Sequence, residues 1–193
     1  MRSISLVKGR TSEAFIRDEA LLLLDKKGAV LEIAREVSQL MRAAAIPGRV
    51  IGGVAVVLHG YLRTTKDVDV FVSPPLEPIA ALLTSNGFTY DRSKRAFFKR
   101  GVAVELVRPD EVGTRDVEAV EIEGVTTVAL VDLVDMKLRS GTNNLLRAQD
   151  LADVIGLIRE HKLKTDFARR LSPQLRPAFR KLVRLIEREK SRR

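Results

Sequence analysis

Apolar residues recur at helical spacing from Ala29 to Ala45, where Val30, Ile33, Ala34, Val37, Leu40 and Met41 share one stripe. An earlier stretch, Glu13 to Lys26, also reads as a helix and is closed by Lys27-Gly28. Pro47-Gly48 breaks the chain, Arg49 to Ile51 reads as a short strand, and Gly52-Gly53 closes it before a helix over Val54 to Tyr61. Strict alternation predicts a strand over Val68 to Val72, stopped by Pro74-Pro75 and followed by a helix from Ile79 to Asn86 that Gly87 ends. Three further strands follow at Thr89 to Tyr90, Ala96 to Lys99 and Val102 to Val107, with Gly101 turning the chain between the last two. Val117 to Ile122 and Thr126 to Val128 form two more around Gly124. Beyond them the pattern is helical: Leu130 to Arg139, Leu145 to His161 and Gln174 to Lys190. In the last of these, Leu175, Phe179, Leu182 and Ile186 form one apolar face under a basic one. The expected fold is α+β, a small mixed sheet flanked by helices. Residues 1–46 are read as N-terminal helices packed on a core at 47–128, and 129–193 as a C-terminal helical region with a basic end.

The 193 residues are 45% hydrophobic, enough to fill a core, so wholesale disorder is not expected. There is no Cys, which excludes a disulfide scaffold, a Cys-ligated zinc site and a thiol nucleophile. Two His, His59 and His161, make a histidine-rich metal site or a His-paired triad improbable. No apolar run approaches a membrane span, and Met1-Arg2-Ser3 lacks the apolar core of a signal peptide, so a soluble, cytoplasmic protein is expected. Charge changes the picture at one end only. Residues 1–161 balance 22 basic against 22 acidic groups, whereas 162–193 hold 12 basic and 3 acidic ones, the whole net excess of +9. Such a segment attracts RNA, DNA or an acidic partner, or is a solvated helix face. It has Phe167 and Phe179 but no Tyr or Trp, so any nucleic-acid contact would be to phosphates rather than by stacking.

The chemistry concentrates between Gly52 and Glu105. A Gly pair between a strand and a helix lets backbone N–H groups approach an anion closely. After a spacer of 13 residues come Asp67 and Asp69 in an otherwise apolar strand, and alternation places both on one face. Like charges held together raise one another's pKa, a cost that a divalent cation relieves, and Mg²⁺ takes hard carboxylate and phosphate oxygens. Glu105 interrupts a second apolar strand and is the third acid. Three acids on neighbouring strands beside a glycine turn suit metal-assisted phosphoryl or nucleotidyl transfer.

This pattern resembles the nucleotidyltransferase (polymerase-beta-like) superfamily. His59-Gly60 with Arg63-x-Thr65-x-Asp67-x-Asp69 is similar to AbiEii-type toxins and related minimal bacterial nucleotidyltransferase domains. Asp135-Met136-Lys137 and Asp150-Leu151-Ala152-Asp153-Val154 resemble that group's later motifs, so the likeness spans Gly48 to Leu157. The third acid is Glu where the family more often has Asp, and Ala152 stands where it has a bulkier or hydroxylic residue. The resemblance implies that Asp67, Asp69 and Glu105 bind one or two Mg²⁺, with Glu105 completing the site or accepting the acceptor's proton. It further implies that Gly52, Gly53, Arg63 and Thr65 meet the nucleotide, that Lys137 neutralises the triphosphate, and that Asp150, with Arg147 a turn before it, joins the site.

The expected activity is Mg²⁺-dependent transfer of a nucleoside monophosphate from an NTP, ATP among the candidates, to an acceptor hydroxyl. The acceptor would be RNA, such as a tRNA end, or a protein, in a toxin or phage-defence role with a cognate antitoxin. A non-catalytic antitoxin or nucleic-acid-binding module on the same fold, and a transferase for aminoglycoside-like small molecules, are the alternatives. Residue by residue, Arg63 and Thr65 could simply fix a loop, and Lys137 could be a surface lysine. Arg147, Asp150 and Asp153 could be a charge ladder on an exposed helix. His59 is read as a helix-end residue bonded to backbone, and His161 as one favoured by a helix C-terminus.

Overall fold

In the computed structural model, residues 27–114 and 116–192 are described, and the helix expected over Glu13 to Lys26 lies outside them. The apolar stripe becomes α1 (Ala29–Ala43), which buries Val30, Leu31, Ile33, Ala34, Val37 and Met41. Ala45 in the left-handed region (φ 53) turns the chain out of it. β1 (Gly48–Ile51) leads directly into α2 (Gly52–Leu58). The helix therefore starts two residues earlier than the sequence suggests and ends three earlier. Gly52 takes the positive φ (67) at the junction, so the chain needs no separate turn between strand and helix. Then come β2 (Asp67–Val72), α3 (Glu77–Ser85), β3 (Thr89–Asp91), β4 (Ala96–Lys99) and β5 (Val102–Val107). The chain continues through a single-turn α4 (Pro109–Val112), unforeseen from sequence, to β6 (Ala119–Ile122) and β7 (Val125–Val128).

The seven strands form one mixed sheet in the order β3-β4-β5-β2-β1-β7-β6. β2 runs antiparallel to β1 and parallel to β5, and β1 runs parallel to β7. Two hairpins use the expected glycines. Arg100-Gly101 (φ 51 and 81) and Glu123-Gly124 (φ 52 and 83) each place two positive φ angles in succession, the geometry that matches strand twist.

Alternation divides the sheet's apolar residues between two cores. Val50, Val68, Val70, Val72 and Val104 pack with α1 and with Ile79 and Leu83 of α3. Ile51, Phe71 and Val128 face the opposite side, against the C-terminal helices. These are α5 (Leu130–Asn143), α6 (Ala148–Glu160) and α7 (Arg176–Lys190). α5 runs four residues past the expected Arg139. The next helix is preceded by a 3₁₀ turn at Leu145–Arg147, because the Asn144 side chain accepts the Leu146 N–H and tightens the entry. Two more 3₁₀ segments, Thr165–Arg170 and Pro173–Leu175, fill the gap before α7. α7 buries Phe179, Val183 and Ile186 with Leu182 half-buried, so its apolar stripe is centred one position beyond the expected one. No helix among the described residues is long and apolar enough to cross a membrane.

Candidate active site

Asp67, Asp69 and Phe71 share the β2 face that the C-terminal helices cover, while Val68, Val70 and Val72 turn to the other core. The parallel ladder sets Asp69 opposite Glu105 of β5, and Asp67, two residues earlier on β2, lies within electrostatic reach of both. Thr65 orients the first of them, its hydroxyl donating to Asp67 Oδ1 at 3.0 Å. Asp69 pays for its position: burial, then repulsion from Asp67 and Glu105, push its carboxyl up to about 6. Burial and the Asp67 charge raise Glu105 as well, with Lys66 acting against them.

The glycines are shaped around these side chains. A Cβ on Gly52 would lie 1.8 Å from Asp69 Oδ2, and one on Gly53 would lie 2.4 Å from Thr65 Oγ1 and 2.8 Å from Arg63 Nη2. The glycine pair thus admits the site's own carboxylate, hydroxyl and guanidinium to the start of α2. Gly52→Ala should cost about 1–2 kcal/mol through its left-handed φ alone. It should also displace the Asp69 carboxylate, so a lowered melting temperature with lost NTP-dependent stabilisation is the expected result.

A second charged group adjoins the first. Arg63 pairs with Asp153 (Nε to Oδ1 2.8 Å, Nη2 to Oδ2 3.2 Å). Lys137 of α5 reaches Asp150 Oδ1 at 2.6 Å and Asp153 Oδ2 at 2.9 Å, and Ser140 donates to Asp150 Oδ2 at 2.6 Å. Asp153 is fully buried and Asp150 nearly so, which rules out an exposed charge ladder. Burial alone would raise the Asp150 carboxyl, but hydrogen bonds from Lys137 and Ser140 outweigh it and hold the group low. Lys137 is no surface lysine: its side chain is largely buried and lies at ion-pair distance from two carboxylates. The fields of Lys137 and Arg63 both reach Asp69, which places this group beside the three acids.

The two histidines are structural, as expected. His59 meets the Val128 carbonyl through Nε2 at 2.8 Å, and His161 meets the His59 carbonyl at 2.6 Å. Burial lowers His59 despite the Val128 carbonyl, keeping it neutral.

Hard oxygen donors, a carboxyl raised by its neighbours and a cradle with no room for a Cβ are features a divalent cation fits. Among the described residues, however, no three His, Asp or Glu converge into a cage that could hold a metal alone. The expected three-ligand metal site is therefore not closed. Uncompensated carboxylates repel, and an ion here would draw its remaining ligands from water and phosphate, as Mg²⁺ commonly does.

No family model and no curated protein matches the sequence. Solved structures do match. The antigenic nucleotidyltransferase-like protein from Paracoccidioides brasiliensis superposes with a TM-score of 0.53 at 17% identity, over 83% of this chain and 88% of that one. ANT(2'')-Ia, solved in complex with adenylyl-2''-tobramycin, superposes with a TM-score of 0.55 at 13% identity, over 78% of this chain and 96% of that one. At such identities the likeness is one of architecture, and the chain has the fold of the nucleotidyltransferase superfamily.

Proposed function

We propose that this protein transfers a nucleoside monophosphate from an NTP to an acceptor hydroxyl with Mg²⁺ bound at Asp67 and Asp69. The observation that carries the reading is the Asp67–Asp69–Glu105 face against Gly52, where burial and repulsion from the other two acids outweigh the fields of Lys137 and Arg63 and raise the Asp69 carboxyl. When bound, Mg²⁺ would neutralise the phosphate oxygens and the two aspartates. Thr65 holds Asp67 in place, and Gly52 and Gly53 let the site's side chains lie against the start of α2. Glu105, exposed at the rim with its carboxyl raised, is placed to take the proton of the attacking hydroxyl. That oxygen bonds to the α-phosphorus as the bond to pyrophosphate breaks.

The acceptor we favour is RNA. Arg180, Arg184 and Arg188 follow one another at i, i+4 and i+8 on α7 with Lys181 beside them. Like charges at this spacing cost helix stability, so a polyanion partner gives the ridge a use. Glu187 and Glu189, the acids of α7, pair with Lys164 and Arg159 instead. The likeness to ANT(2'')-Ia favours a second reading, a small-molecule acceptor of the aminoglycoside kind.

Incubation with each labelled NTP, Mg²⁺ and either total RNA or aminoglycosides separates these readings. The expected result is chelator-sensitive labelling of RNA. In Arg180→Gln/Arg184→Gln/Arg188→Gln, RNA affinity should fall and its log–log salt slope should shrink by about 2, at about 0.7 per lost phosphate contact. Labelling of an aminoglycoside alone would assign the second reading, and labelling of nothing would refute both.

A further inference from the structure

Asp153 carries more interactions than any other acid near the site, and the chemistry above gives it no task. Fully buried, it accepts hydrogen bonds from Arg63 Nη2 at 3.2 Å and Gln149 Nε2 at 3.0 Å, and Arg63 Nε and Lys137 Nζ lie at ion-pair distance, 2.8 and 2.9 Å. Both carboxylate oxygens are thus engaged, Oδ1 by Gln149 and Oδ2 by Arg63, with the Lys137 charge beside them. Besides Gln149 of α6 itself, its partners come from the loop before β2 and from α5, so one side chain ties both to α6. As a device for stability alone such a cluster is a poor choice, because well-packed apolar groups of similar volume often do as well or better. Its yield is orientation. Arg63 Nη2 is pinned over Gly53 in space that only glycine leaves open. Lys137 donates to Asp150 and pairs with Asp153, which leaves it further donors, and its field reaches Asp69.

We propose that Asp153 is a positioning residue: without touching the nucleotide, it holds Arg63 and Lys137 at the edge of the carboxylate face, where both cations meet the phosphates. This rests on the nucleotidyltransferase reading and assigns the C-terminal helices a share in nucleotide binding.

Calorimetric titration of the full chain with each of the four NTPs in Mg²⁺ tests it. Asp153→Asn should bind the preferred NTP about tenfold or more weakly, the scale of one misaligned charge-assisted hydrogen bond. In an Arg63→Gln/Lys137→Gln background the same substitution should change affinity less than twofold, since its effect runs through those cations. Undiminished affinity in Asp153→Asn, or an undiminished effect in that background, overturns the proposal whatever happens to the melting temperature. Should Asp153→Asn fail to fold, Asp153→Glu keeps the charge and moves it by one methylene. Severalfold weakening then supports the proposal and wild-type affinity overturns it. A wild type that binds none of the four NTPs removes the nucleotidyltransferase reading itself and this inference with it, an outcome distinct from wild-type binding that Asp153→Asn leaves intact.

Discussion

Asp69→Asn should lower nucleotide transfer by about a thousandfold or more while making the protein more stable at pH 7. The loss follows if the carboxylate helps hold a cation whose charge stabilisation is worth several kcal/mol, each 1.36 kcal/mol being tenfold in rate. The gain follows from linkage. Asp69 keeps its proton up to about pH 6 when folded, against an ordinary value of 3.8. Below pH 3.8 both states are protonated and the site costs nothing. As pH rises from there to about 6 the unfolded chain releases the proton first, so stability falls, and the cost is complete above pH 6. Its ceiling is about 3 kcal/mol. Asparagine removes the cost, so without divalent ions the variant should melt about 5 °C higher than wild type at pH 7 and no higher at pH 3. Mg²⁺ should stabilise the wild type more as pH rises through 6. Retained transfer in the variant would refute the site, and equal melting at pH 7 would refute the electrostatic strain.

Phe179→Ala should destabilise the protein by about 3–5 kcal/mol, the usual cost of emptying a fully buried aromatic site. Phe179 is 0% exposed and lies among Leu171, Leu175, Val183 and Ile186 in the core that backs Phe71 and Ile51 of the sheet. Denaturant unfolding measures the loss, and a change below about 1 kcal/mol would mean that α7 is a peripheral appendage. The same packing decides how RNA binding is probed. Removing 162–193 would take Ala168, Leu171, Leu175, Phe179, Val183 and Ile186 out of the core along with the basic groups. Replacing the arginines alone leaves those contacts in place.

Much of this was legible in the chain. The α1 stripe, the glycine hairpins and the alternation of β2 are local patterns, and they place Asp67 and Asp69 on one face before any tertiary contact is known. Glu105 was legible as a lone charge in an apolar strand, although only the sheet order sets it opposite Asp69. The Arg63–Asp153–Lys137–Asp150 group was not legible as a unit, because its members come from a loop and two helices and meet through packing that no short window contains. Its one local signal was Asp150 and Asp153 at i, i+3, which an exposed helix would show equally. The start of α2 was misplaced because Gly-Gly reads as a turn unless the strand is known to run straight into the helix. The 3₁₀ segments at 165–175 carry no periodicity of their own and take shape against α7.

The short helix α2 sits where the two halves of the interior meet: Val54 and Leu58 belong to the core under α1, and Ala55 and Val56 to the one under α5–α7. A helix wedged into both makes them thermodynamic partners. Loosening either layer robs the other of the same seven-residue peg, and that peg begins at the glycines packed against Asp69, Thr65 and Arg63. Damage far out in the C-terminal bundle is therefore transmitted to the start of α2, where Gly52 lies against Asp69.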